Sequence, residues 1–201
     1  MSFKEKGCGN VSHIPYLFQF LNSGIWLIYG LLPTIFNVSI LFTNGLGTLL
    51  SAFYLIKYYQ HTEDKKAIVF FQTITTTLFL CLICFIANHI QNYFTNPINV
   101  VFYLGILGSC TSLLMFGSPL LALKKVIESK SADSLPKSMC IMGFFCSLSW
   151  TIYGGLVMKD YFIWGPNLGA FLISSFQVSL ILLFSSNKKG FAPPLLLQDS
   201  L

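Results

Sequence analysis

Polar breaks divide the chain into six apolar stretches: Ile14–Leu32, Phe36–Tyr59, Ala67–Ile90, Ile98–Leu123, Met139–Val157 and Phe162–Phe184. None carries Asp, Glu, Lys or Arg well inside it. Stretches of about 20 apolar residues match the thickness of a bilayer. An unsatisfied backbone group in hydrocarbon costs several kcal/mol, so such segments must be helices or closed barrels. Their length and lack of alternation select helices. The pattern predicts an all-α polytopic membrane protein with six spans.

Composition agrees with the pattern. Of the 201 residues 54% are hydrophobic and 9% charged, with a mean hydropathy of +0.70. Soluble domains carry about 25% charged residues. Too few charges remain to cover a water-facing surface, and no substantial extramembrane domain fits. The formal charge of +5 does not indicate nucleic acid: all 12 basic residues are lysines, scattered and interleaved with acids. Eleven of them, at positions 4, 6, 57, 65, 66, 124, 125, 130, 137, 188 and 189, fall on one side of the predicted spans, against Lys159 alone on the other. The positive-inside rule then makes both termini cytoplasmic. The polar residues before Asn10 do not form a cleavable signal. Asn37 heads an Asn-Val-Ser sequon on the outer side, too close to the membrane for glycosylation to be expected.

Little in the chain suggests catalysis. Five of the six cysteines lie in apolar runs, and the Cys81/Cys84 pair has neither carboxylate nor histidine at ligand spacing. Such cysteines behave as small hydrophobes. His13, His61 and His89 fall at span ends, as interfacial or solvated histidines do, and Ser118 has no histidine in its helix. No enzyme, metal or cofactor is expected. With no ionisable group inside a span, nothing is available to carry a coupling proton or sodium ion.

The chain does repeat itself. Trp26-Leu-Ile-Tyr29-Gly30 reappears as Trp150-Thr-Ile-Tyr153-Gly154, and each is followed by an asparagine with glycine close behind, Asn44-Gly45 and Asn167-Leu168-Gly169. The offsets from Trp to Asn are 18 and 17 residues. Trp and Tyr alone could mark interfacial belts. A paired amide inside apolar runs points instead to a duplicated site.

With Ser118-Pro119-Leu120, the run from Lys124 to Ile127, the run from Lys130 to Pro136 and Pro166-Asn167-Leu168-Gly169-Ala170, the sequence resembles the SWEET family of sugar uniporters, within the MtN-saliva and PQ-loop group and closer to its animal members. The resemblance runs from about Asn10 to Phe184 and is strongest in the second half. It implies two parallel three-helix bundles joined by a linker helix. Residues 14–59 would be two helices of the first bundle, 67–90 the linker and 98–184 the second bundle, flanked by cytoplasmic segments 1–13 and 185–201. No counterpart of the helix bearing Pro119 precedes Ile14. The chain is therefore expected to behave as a member without its first helix, with Trp26 and Asn44 facing lipid or a neighbouring chain.

A neutral sugar presents hydroxyls around its rim and apolar C–H faces, which call for aromatic platforms and uncharged amides. By resemblance Trp26, Trp150, Asn44 and Asn167 form the substrate pocket. Asn22 and Cys146, one turn before each Trp, extend it, and Thr111 and Leu114 could add a wall. Pro15, Pro119 and Pro136 correspond to the family's hinges. Asp160 matches its outer-gate acid, although the partner tyrosine expected just before Trp26 is replaced by Ile25. The implied activity is facilitated, bidirectional movement of mono- or disaccharides. A PQ-loop amino-acid carrier would show Pro-Gln where this chain has Pro119-Leu120 and Pro136-Lys137. The alternative is a transport-deficient subunit that assembles with longer relatives. Homo- or hetero-oligomers are expected, in the plasma membrane or the Golgi.

Overall fold

In the computed structural model α1 (Ile14–Leu31) is the most enclosed element of the first part of the chain, burying Phe20, Ser23, Gly24, Ile25, Trp26, Ile28, Tyr29 and Gly30. Three further helices pack against it: α2 (Val38–His61), α3 (Lys66–Tyr93) and α4 (Ile98–Met115). The structure describes residues 12–32, 34–62, 65–93, 98–115, 117–132 and 135–187. Lys4, Lys6, Cys8, Asp133, Ser134, Lys188 and Lys189 lie outside them. No strand occurs among the described residues.

Small residues on α1 and α4 permit this enclosure. A Cβ on Gly24 would lie 2.5 Å from Leu80 Cδ1 of α3, and one on Gly30 would lie 2.8 Å from Ile40 Cγ2 of α2. Association of helices in lipid depends on such close approach, because lipid tails are as apolar as leucine. The outward faces are apolar throughout: α3 exposes Phe70, Phe71, Leu78, Leu82 and Phe85. Its threonines remain compatible with that face because Thr73, Thr75, Thr76 and Thr77 each donate to the carbonyl four residues earlier, at 2.7 to 2.8 Å. A hydroxyl bonded to its own helix asks nothing of the surroundings.

The fourth predicted span, Ile98–Leu123, is covered by α4 up to Met115 and by α5 (Gly117–Ser129), which contains Pro119; Phe116 lies outside the described residues. Pro15 occupies the first turn of α1 and Pro136 the N-cap of α6 (Lys137–Ile152). The chain divides into two compact units, Met1–Met115 and Phe116–Leu201, so α4 packs within the first unit although it opens the expected second bundle.

In the second unit α6 continues as a π-helical turn, Tyr153–Met158, before α7 (Tyr161–Asn187) returns alongside it. One end is closed by a cluster of Val126, Ala132, Leu135, Cys140 and Ile181. Among the described residues four helices are long and apolar enough to cross a membrane, Val38–His61, Lys66–Ile90, Lys137–Met158 and Tyr161–Phe184. A further apolar helix, Val100–Met115, is shorter.

His13 departs from its expected solvated position. It is only 5% exposed, meets the Tyr58 ring of α2 at a tilt with 5.3 Å between centroids and makes a 2.6 Å bond through Nε2 to Gln72 Oε1 of α3. An amide oxygen only accepts, so Nε2 carries the proton, and the buried Nδ1 has no partner. His13→Ala and Gln72→Ala should each cost about 1 kcal/mol. The double variant should lose little more than either single one, measured as thermal unfolding of the detergent-solubilised protein. Fully additive losses would show that the bond does not join α1 to α3.

Candidate functional site: a duplicated Trp/Asn element

The first WxxYG motif closes α1, whereas the second runs from α6 into the π-helical turn, and the two share their packing. The Trp26 and Tyr29 rings meet edge to face at 5.3 Å, and Trp150 meets Tyr153 at 5.7 Å. The glycine that follows admits the next helix: Gly30 is pressed by Ile40, and Gly154 by Ile163, each 2.8 Å from where a Cβ would stand. The asparagine four residues further along bonds that isoleucine's carbonyl, Asn44 Nδ2 to Ile40 O at 3.0 Å and Asn167 Nδ2 to Ile163 O at 2.7 Å. Both half-buried amides are thereby held on their own helix by one N–H. Among the described residues their oxygens have no partner, nor does the second N–H of each.

The turn between glycine and asparagine explains the unequal offsets. Asn37 donates its backbone N–H to Gly30 O and caps α2 by accepting from Ile40 N. Asp160 donates to Gly154 O and caps α7 by accepting from Phe162 N. Asn37 and Asp160 both stand seven residues before their asparagine. The one-residue difference therefore lies in the turn, and the chain pairs a neutral cap in one repeat with an acidic one in the other.

The flanking residues differ between repeats. Trp26 is buried, only 8% exposed, against α4 instead of facing lipid, because Gly108 leaves room for the indole: a Cβ there would stand 2.9 Å from Trp26 Cε2 and Cζ2. Trp26 Nε1 donates to Ser112 Oγ at 3.2 Å, and Ser112 donates to Asn22 Oδ1 at 2.9 Å. Thr111 Oγ1 lies 2.9 Å from both Asn22 Oδ1 and Gly108 O. Asn22, Trp26 and Thr111 are thus brought together, while Leu114 on the same helix is 67% exposed. In the second unit Trp150 is half-buried and Cys146, the counterpart of Asn22, is exposed. Gly108 and Ser112 escaped the sequence reading. Their signal was the pair of small residues four apart on α4, a recurrent device for close helix approach.

These features coincide with a known family. The family model described as "Sugar efflux transporter for intercellular exchange" matches residues 2–66 and 102–189. The chain belongs to the SWEET family. Among SWEET relatives, "Sugar transporter SWEET1" of Dictyostelium discoideum is 30% identical over 90% of this chain and 81% of its own length. "Sugar transporter SWEET1" of Danio rerio is 33% identical over 79% of this chain and 69% of its own. "Bidirectional sugar transporter SWEET8" of Arabidopsis thaliana is 27% identical over 93% and 79%. The structure is similar to a eukaryotic SWEET transporter solved at 3.7 Å, with a TM-score of 0.79, 25% identity, and coverage of 89% of this chain and 82% of that one. The expected fold class, an all-α SWEET-type membrane protein, is borne out.

The glycine contacts give a direct check on the duplicated element. Gly154→Ala should lower the unfolding temperature measurably, equivalent to about 1–3 kcal/mol, because the Trp164 backbone N lies 2.9 Å from the new Cβ and cannot turn aside. Gly165→Ala, with nothing within 4 Å, should be neutral. Equal effects at the two positions would refute the close approach.

Proposed function

We propose that this chain carries a sugar across a membrane by facilitated, bidirectional uniport, with Trp26, Trp150, Asn44 and Asn167 as its central contacts. The observation that carries the reading is the pair of asparagines. Each is held by one N–H on its own helix and offers an oxygen and an N–H to neighbouring hydroxyls of an uncharged ring. Sites in transporters built from repeats lie near the bilayer midplane at the repeat interface. In this reading residues 14–59 and 98–184 belong to the two halves, 67–90 link them, and six spans put both termini in the cytoplasm.

Asn22, Thr111, Cys146 and Leu114 line the approach to the sugar. Asp160 serves the outer gate, and Pro15, Pro119 and Pro136 let helix ends rock. The chain is a carrier rather than an enzyme, resides in the plasma membrane or Golgi and assembles with copies of itself or longer relatives. A role purely as a subunit of such assemblies is the competing outcome of the test.

The test is uptake of radiolabelled glucose and sucrose in cells lacking their own sugar carriers. Trp150→Ala and Asn167→Ala should each reduce uptake at least about tenfold at unchanged membrane abundance, the loss of one strong polar or stacking contact. Normal uptake in both variants would remove them from the site. Absence of uptake by the unaltered chain, restored when a longer relative is co-expressed, would favour the subunit role. A protonophore should leave uptake unchanged at a constant sugar gradient, since no span carries a titratable coupling residue; collapse of uptake would overturn uniport.

A further inference from the structure

Most hydroxyls on these helices give their proton to their own backbone: Thr43, Thr48, Ser51, Ser147, Thr151 and Ser175 all bond the carbonyl four residues earlier. Ser112 does something else. It accepts from the indole of one α1 residue and donates to the amide oxygen of another one turn away, forming a directed chain from Trp26 Nε1 through Ser112 Oγ to Asn22 Oδ1. Trp26 is buried, and an indole N–H without a partner there would carry its full desolvation cost. Thr111 shares its proton between Asn22 Oδ1 and the Gly108 carbonyl and makes no bond to the indole among the described residues.

We infer that Ser112 is a positioning residue for the substrate site: it locks the Trp26 indole and, by occupying the Asn22 oxygen, leaves the Asn22 NH2 group as a pure hydrogen-bond donor to a hydroxylated ligand. Asn22 Nδ2 makes no hydrogen bond to any described residue, whereas Asn44 and Asn167 each spend one N–H on backbone and keep a bare oxygen. The first repeat therefore carries a directed donor on α1 in addition to the asparagine amide on α2. The second has Cys146 where Asn22 stands and offers no such donor. The two repeats are read asymmetrically: at the first a sugar hydroxyl oxygen accepts from Asn22 and a hydroxyl proton goes to the Asn44 oxygen, while the second lacks the Asn22-type donor.

The ligand part of this inference rests on the sugar-transport reading; the Ser112 geometry does not, and two measurements separate them. In proteoliposomes holding the full chain without sugar, the ultraviolet resonance Raman band that reports indole hydrogen bonding should lose the contribution of one tryptophan in Ser112→Ala. The near-isosteric Ser112→Cys should weaken it, and Ser112→Thr should retain it. An unchanged band in both Ser112→Ala and Ser112→Cys overturns the assignment. In the uptake assay with radiolabelled glucose, Ser112→Ala and Ser112→Cys should raise KM about tenfold with the maximal rate preserved, and Ser112→Thr should restore it. A fall in maximal rate at constant KM, or no rescue by Thr, would make Ser112 merely structural. If the Raman band changes as stated and no variant or parent takes up sugar, the sugar reading fails and the positioning of Trp26 stands.

Discussion

A polar group away from water must be satisfied inside the protein, and in this chain that requirement decides which helices touch. Along α2 and α3 the hydroxyls turn back to their own carbonyls, so those helices can present apolar faces outward. α1 cannot do this. The indole N–H of Trp26 has no such route, and the amide oxygen of Asn22 can only accept, so both find their partners on α4 in Ser112 and Thr111. Gly108 makes the contact possible by leaving the indole a seat. The polar chain and the close approach depend on each other.

The two repeats keep the same element and vary its edges. In both, a glycine admits an isoleucine whose carbonyl holds the asparagine four residues on, and a capping residue bonds back to the glycine carbonyl. A single amide is thereby oriented by a helix start, a helix end and a turn. The edges differ where chemistry can differ: Asn37 against Asp160 at the caps, and Asn22 against Cys146 one turn before each tryptophan. Only the first repeat gives its tryptophan a cross-helix hydrogen bond among the described residues.

Several features were already legible in the amino-acid order. Six long apolar runs without internal charge leave no fold other than membrane helices, since backbone groups in hydrocarbon must pair within their own segment. The recurrence of WxxYG with an asparagine at nearly equal offset marked the element before any coordinates, because that spacing places Trp and Asn on successive helices at comparable depth. The rest depended on contacts between segments distant in the chain. Burial of His13 on Tyr58 and Gln72 and the seating of Trp26 on Gly108 each join residues that hydropathy cannot relate. Hydropathy reports the solvent a segment prefers. Which nitrogen or oxygen of Asn22, Asn44 and Asn167 remains available is set by the partner that has already taken the other, and only the packed helices decide that.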